Sequence, residues 1–439
     1  MTIHQLRFAI PILILFPFAS QCQKNDSLLN EVTLQSAVNY AIVHQPAVRQ
    51  AELDQKITDA NIRNRLADWY PQVHFGYTLQ HNFKVQTAVI GGNPVKLGVD
   101  NTSGAQFTVS QTLFDRDVLL AARTKREVRL QSSQTTSSNK IETASAVSKA
   151  FFDVLASTQQ VKVSNENIIR IERSLRDAFH QYQAGITDKT DYKRATIALN
   201  NSKALKKSNE ETLKARLEYL KNLMGYPIEG KLNIVYDSLE MEKQVSLDTL
   251  QQIDYTARIE YKILQTQHNL LQSNLKYAKW SFLPSLTANG AYNFNYQNDQ
   301  FSKLYNTNYP NSFALLTLGV PIFQGGKRRA EIDEARFQVQ RNELDIAGLR
   351  NDINTEYATA LATYKSNLAD FLSLKENLQL AKEVYDIIQL QYKSGIKTYL
   401  EVINSETDLR TAQINYYNSL YELLSSKVDV QRVLGQINY

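Results

Sequence analysis

The chain writes one unusual turn twice. Tyr182-Gln-Ala-Gly185-Ile186 is followed, six residues past the glycine, by Asp191, and Tyr392-Lys-Ser-Gly395-Ile396 is followed at the same distance by Glu401. Other landmarks recur at nearly the same offset. Trp69 and Pro71 are matched by Trp280 and Pro284, Leu113-Phe114 by Ile322-Phe323, and Gly225 by Gly435, with 40 residues from turn glycine to terminal glycine in both halves. Matches in one conserved order indicate an internal duplication, which overrides a domain count taken from length alone. The expected organisation is a leader at 1–22, a first repeat at 23–225, a connector at 226–248 broken by Pro227 and Gly230, and a second repeat at 249–439.

The leader reading rests on MTIHQLRFAIPILILFPFAS. A single Arg7 precedes an apolar run from Phe8 to Phe18, and small residues follow, the pattern of a secretory signal peptide removed on export. The only cysteine, Cys22, stands where a lipoprotein signal places its lipidated residue, although Gln21 before it is larger than that signal favours. A lone cysteine permits no intrachain disulfide. No further stretch is apolar enough for a membrane-spanning helix, which leaves a membrane β-barrel open.

Inside each half the hydrophobic period changes. Val73, Phe75, Tyr77, Leu79 and Phe83 share one parity, against Gln72, His74, Thr78, Gln80 and Asn82. Phe107 and Val109 alternate with Gln106, Thr108, Ser110 and Thr112. Leu286, Ala288, Tyr292, Phe294 and Tyr296 oppose Ser285, Thr287, Asn289, Asn293 and Asn295. The run from Phe313 to Ile322 is more apolar throughout. Period two predicts four strands, near 71–84, 104–114, 284–297 and 311–323, paired as two hairpins with turns near Gly91–Pro94 and 298–310. Each strand has about the 9–11 residues that cross an outer membrane when tilted. The polar faces lack the Lys and Glu common on strands of a soluble sandwich, so the parity fits lipid on one side and water on the other.

The remainder reads as helix. Tyr357, Leu361, Tyr364, Leu368, Phe371, Leu374, Leu378, Ala381, Tyr385, Ile388 and Tyr392 recur at steps averaging 3.5, a coiled-coil seam. Leu372, Leu380, Val384 and Ile387 add a second apolar flank, as on a helix with neighbours on both sides. The 72 residues from Phe323 to Gly395 would span roughly 105 Å as one helix. Residues 131–139, QSSQTTSSN, have poor helix propensity and read as helix only by analogy with the helical 340–352; a linker is the alternative.

Four strands in a membrane leave two open edges, which hydrocarbon does not tolerate, and closure takes about eight strands or more. Several copies must therefore join, with the long helices gathered into a ring beneath. The duplicated plan, the prolines at the strand starts, the aromatic exits at Phe114 and Phe323 and the YxxGI turns together resemble the outer-membrane efflux protein (TolC) family over nearly the whole mature chain. The resemblance implies a mostly α fold with a β-barrel portion: a homotrimer whose 12-stranded outer-membrane barrel continues into a periplasmic α-barrel of duplicated long helical hairpins. It implies partnership with a periplasmic adaptor (membrane fusion) protein and an inner-membrane transporter, as the passive exit duct of a tripartite efflux or type I secretion system in a Gram-negative cell. No cofactor and no catalysis are implied.

By the same resemblance the two turns, at Gly185 and Gly395, are the periplasmic tips, where Asp191, Tyr392, Lys397 and Glu401 fall at gate positions. Asn404 replaces a second acidic ring found in some members, which weakens the case for cation binding at the mouth. Each charge has the competing reading of a solvated helix cap. Trp69, Phe114, Trp280 and Phe323 are expected in an interfacial aromatic belt, and Lys327-Arg328-Arg329 either near lipid headgroups or as plain positive surface at a helix start.

The net charge of +5 is interleaved with acid, which argues against nucleic acid as a partner. The six histidines are scattered, and His74 and His81 are seven apart on one strand and face opposite sides. Metal spacing, phosphate loop and nucleophile motif are missing, so an enzyme is not expected. The competing function is a secreted periplasmic helical scaffold or adaptor, which would have no use for uncharged polar faces on its strands.

Overall fold

The computed structural model of the protein describes residues 31–437; the leader and Cys22 lie outside the described residues. The first half runs α1 (Leu34–His44), α2 (Pro46–Ala67), β1 (Gln72–His81), β2 (Thr87–Ile90), β3 (Asn93–Lys96), β4 (Asn101–Phe114), α3 (Arg116–Gln183) and α4 (Lys189–Met224). A connector with the short α5 (Ser238–Lys243) follows. The second half runs α6 (Ile259–Lys279), β5 (Ser285–Asn298), β6 (Asn311–Gly319), α7 (Lys327–Lys393) and α8 (Tyr399–Val433).

Four strands form one antiparallel sheet in the order β1-β4-β5-β6. Its register aligns Phe75 with Phe107 and Phe107 with Tyr292, which gathers the aromatic side chains on one face. The Phe75 and Phe107 rings meet at 4.8 Å. His74, Thr108 and Ala291 align on the opposite face with the Gln, Thr, Ser and Asn side chains. In β6 the register sets Phe313 and Leu315 opposite Ala291 and Asn289, so this strand is apolar on both faces.

The strand limits differ from those expected. β6 ends at Gly319 rather than near 323, because Pro321 has no N–H with which to extend the ladder. Ile322 and Phe323 therefore sit in a loop. β4 begins earlier than expected, at Asn101, which pairs with Asn298 at the end of β5. β2 and β3 are an additional hairpin at the foreseen Gly91-Gly92 turn, where both glycines have positive φ, 61° and 87°. Within the loop after β5, residues Phe301–Asn306 form a 3-10 helix. It lies over the aromatic face, with the Tyr305 and Tyr77 hydroxyls 2.7 Å apart.

α3 and α7 are 68 and 67 residues long, roughly 100 Å each, and run unbroken from the sheet to the far tips. Residues 131–139 are helical. Their hydroxyls are absorbed by the helix: Thr135 Oγ1 donates to Gln131 O at 3.1 Å and Ser137 Oγ to Ser133 O at 3.1 Å. Thr136 Oγ1 donates to Ala51 O at 3.1 Å and accepts from Gln55 Nε2 at 2.6 Å, which ties α3 to α2. Tertiary bonds of this kind outweigh the weak local propensity.

Beside the sheet α2, α3, α6 and α7 lie side by side; toward the tips the order becomes α4, α3, α8, α7. The main core lies where the two sets meet. Phe151, Leu155, Leu220, Met224, Leu420 and Leu423 are fully buried there, together with Ala37 and Ala41 of α1. Each large side chain contributes about 1.5–3 kcal/mol. The connector lies along α7 and α8: Tyr364 Oη donates to Val245 O at 2.8 Å and Tyr357 Oη to Gln251 O at 2.8 Å.

Gly225 and Gly435, paired in the sequence, do equivalent work. Each ends a long helix with positive φ, 65° and 71°. Each also lies against backbone that begins a shorter helix, Gly225 against His44–Gln45 before α2 and Gly435 against Ala257 before α6. A Cβ at Gly225 would come within 2.7 Å of the His44 carbonyl oxygen, whereas one at Gly185 would meet open space. Gly225→Ala should therefore destabilise the protein by about 3 kcal/mol or more, from backbone strain plus the clash, and Gly185→Ala by about 1–2 kcal/mol, from strain alone, an order to be checked by denaturant unfolding of the two variants.

Candidate functional site at the helical tips

Both tips end in the same backbone device. At the first, Gly185 N–H donates to Tyr182 O at 3.0 Å and Ile186 N–H to Gln181 O at 2.9 Å; at the second, Gly395 N–H donates to Tyr392 O and Ile396 N–H to Gln391 O, each at 2.9 Å. These paired bonds, with glycine at φ 70° and 73°, define a Schellman termination. The following isoleucine is thrown outward: Ile186 and Ile396 are 73% and 72% exposed.

The acidic residue six past each glycine falls at the third position of the next helix. At the second tip Glu401 completes a capping box, its carboxylate accepting from Thr398 N–H at 2.9 Å and from Thr398 Oγ1 at 3.1 Å. The same carboxylate takes the Lys397 ammonium at 2.6 Å. The Lys397 hydrogen bond first, then that of Thr398, hold Glu401 below its ordinary pKa. At the first tip the cap is Asp188, which accepts from Thr190 N–H at 2.5 Å. Asp191 is left without a hydrogen bond or ion pair among the described residues. Burial, and then the Asp188 charge, raise its carboxyl above the usual range against the pull of Arg194.

Tyr392 is the residue that joins the hairpins. Its hydroxyl donates to Gln181 Oε1 across α7 and α3 at 2.9 Å, and its ring lies 5.8 Å from that of Tyr399. Tyr399, Val402 and Ala195 form a small core bordered by Leu175, Ile388 and Tyr392, so all four tip helices meet there. The structure thus brings Tyr392 and Asp191 to one cluster and pairs Lys397 with Glu401 in another. Asn404 is exposed, one turn beyond Glu401. Gln181, Tyr399 and the cap residues Asp188 and Thr398 were not singled out from the sequence, although Thr398-x-x-Glu401 is a legible capping signal.

At the other end of the long helices, Trp69 stands three residues before β1 and Trp280 five before β5, while Phe114 ends β4 and Phe323 follows β6. The Arg123 guanidinium lies 4.6 Å over the Trp280 ring. In the basic run, Arg328 Nη2 donates to Pro321 O at 3.1 Å and stands 3.5 Å from Ser281 O, which joins the exit of one strand to the approach of another. Lys327 and Arg329 are exposed at a helix N-terminus, the end whose dipole disfavours cations.

A sequence profile described as outer membrane efflux protein matches residues 37–226 and 262–436. The chain belongs to that family. It is 18% identical over 424 residues to the outer membrane protein TolC of Escherichia coli, covering 94% of this chain and 84% of that one. It is 20% identical to the probable efflux pump outer membrane protein TtgC of Pseudomonas putida, covering 92% and 83%. Among solved structures, the CmeC outer membrane channel of Campylobacter jejuni superposes with a TM-score of 0.72 at 16% identity, over 99% of this chain and 94% of that one. CusC superposes with a TM-score of 0.73 at 17% identity over 93% of each chain. Members of the outer membrane efflux family are channels rather than enzymes, and this protein is an outer-membrane protein of a Gram-negative bacterium with a large periplasmic helical part.

Tyr392→Phe removes only the bond to Gln181 and should weaken the contact between hairpins by about 0.5–1.5 kcal/mol, read as a lower denaturation midpoint. Lys397→Met should move the Glu401 titration upward toward the ordinary carboxylate range, read by carbon NMR of labelled glutamate. Because the Glu401 pKa is depressed in the folded protein, its contribution to the tip is present above the ordinary carboxylate range and fades as pH falls through the folded value.

Proposed function

We propose that the protein is the exit duct of a tripartite efflux or type I secretion machine, a homotrimer that passively conducts cargo delivered by an inner-membrane transporter and a periplasmic adaptor. The carrying observation is the pair of bare flanks. The sheet ends in two unpaired strands, β1 and β6, and three copies joined β6 to β1 give a closed 12-stranded barrel. Below it, α7 leaves Leu372, Leu380, Val384 and Ile387 about half exposed, an apolar flank suited to the α4 edge of the next copy.

In this reading the tips form the gate. Tyr392, Lys397, Glu401 and Asp191 restrain a narrow mouth, Asn404 lies beside it, and the exposed Ile186 and Ile396 meet the adaptor. Docking exchanges these modest links for contacts with the partner, and the α7–α8 hairpin swings outward, a population shift that the partner can reverse. Trp69, Phe114, Trp280, Phe323 and the Lys327–Arg329 run border the inner leaflet. Against a scaffold without a channel stands the face of Gln, Thr, Ser and Asn residues across β1, β4 and β5, which serves as a wet lumen lining.

Detergent-extracted protein should have three times the chain mass of 50.1 kDa, less the leader, after correction for bound detergent. Tyr392→Phe combined with Lys397→Ala should raise single-channel conductance in a planar bilayer several-fold. A monomer, or unchanged conductance, would remove the trimer or the gate assignment respectively.

A further inference from the structure

The α8 seam that faces α3 contains an anomaly. Tyr399, Val402, Glu406, Leu409, Gln413, Tyr416 and Leu420 follow a heptad step, and all but Gln413 are buried. Glu406 is 4% exposed, a carboxyl in an otherwise largely apolar stripe about two turns from the tip. Its partner is Arg170 of α3, but the Nε to Oε1 distance is 3.6 Å, and neither atom has a hydrogen-bond partner among the described residues. Arg170 instead points Nη2 at Gln413 Oε1, 3.5 Å away. An ion pair buried this loosely does not recover the hydration its charges have lost.

A cavity of about 390 Å³ lies beside it, lined from α3 by Asn167, from α4 by Arg194 and Ser202, and from α8 by Tyr399, Glu406 and Arg410. Asn167 is 2% exposed, and its Oδ1 is likewise without a partner while its Nδ2 donates to Ser202 Oγ at 3.1 Å. The charged and titratable groups around Glu406 are therefore Arg170 on α3, Arg194 on α4, Tyr385 on α7, and Tyr399 and Arg410 on α8.

We propose that Glu406 is a proton-operated latch on the seam between the two helical hairpins: neutral, it lets α8 seat against α3; ionised, it favours a loosened seam in which the carboxylate meets water. This rests on the tip-gate reading for its consequence, though not for its chemistry. Burial raises the Glu406 carboxyl to about 7, against the pull of Arg170 and Arg410. A raised folded value means that the seated seam binds the proton more tightly than a solvated one. The seated state is therefore favoured at low pH and loses that advantage as pH rises through about 7. The gap between the ordinary 4.5 and about 7 limits the change in the loosened-to-seated ratio to about 300-fold over the whole titration, of which at most about 30-fold falls between pH 5.5 and 8.5.

The test is amide hydrogen exchange of the detergent-solubilised full mature chain between pH 5.5 and 8.5, corrected for the intrinsic pH dependence. In the wild type, protection of α8 around 399–410 and of the facing turns of α3 should fall as pH rises. In Glu406→Gln, a neutral isostere, protection should stay at the low-pH level throughout. Protection that does not vary in the wild type, or that falls equally in the variant, overturns the latch. Bilayer conductance is read separately: conductance that rises with pH in the wild type and stays flat in the variant extends the latch to the gate. A silent bilayer with the expected exchange pattern instead counts against the channel reading and leaves the latch standing.

Discussion

The structure depends on the unpaired backbone at the two sides of its sheet. β1 and β6 each present a row of N–H and C=O groups to an environment that supplies no partners. A chain with only four strands in its sheet cannot solve this alone, and the remainder of the fold follows from that fact. The halves are duplicated so that one chain supplies two hairpins. The helices continue from the strands as edge-to-edge pairs rather than as a closed bundle, leaving α4 and α7 as free flanks in register with the free strands.

Much of this was legible in the sequence because duplication and period are strong signals. Parity marks the two faces of the sheet, and the seam from Tyr357 to Tyr392 marks the one-piece helix, with Tyr364, Phe371 and Tyr385 the members of that seam that are buried. Local chemistry was harder to read. Pro321 truncates β6, a consequence of a missing donor that alternation of side chains does not record. The β2–β3 hairpin was hidden because four-residue strands are too short for a period to register. Residues 131–139 are helical through partners on other elements, Gln55 and Ala51, which no local propensity can reveal.

The tips divide the same way. Repetition of YxxGI located both turns, and the left-handed glycines explain why the motif is written as it is. The acidic residues six past them are first of all helix-start residues: Glu401 closes a capping box, and Asp191 occupies the equivalent position without closing one. The link between hairpins, Tyr392 to Gln181, spans residues 211 apart in sequence, beyond any spacing rule. Glu406 is marked in the sequence only by its place in the heptad stripe Tyr399, Val402, Glu406, Leu409 of α8, where an acid stands among largely apolar positions.

The uninterrupted length of α3 and α7 has a consequence for how such a chain can change over time. Each long helix serves two different sets of neighbours, one beside the sheet and one toward the tip, with no loop between them to absorb an error. Inserting a single residue midway would turn everything beyond it by about 100° and lift it about 1.5 Å. Arg170 would leave the seam, and Gly185 would no longer lie level with Gly395. Length changes are tolerable only in whole heptads and only if made in both halves together, whereas the loops at the sheet's outer end can lengthen freely. The near-constant spacing between the two halves is therefore a ruler, kept because two rods of unequal length could not end in one ring.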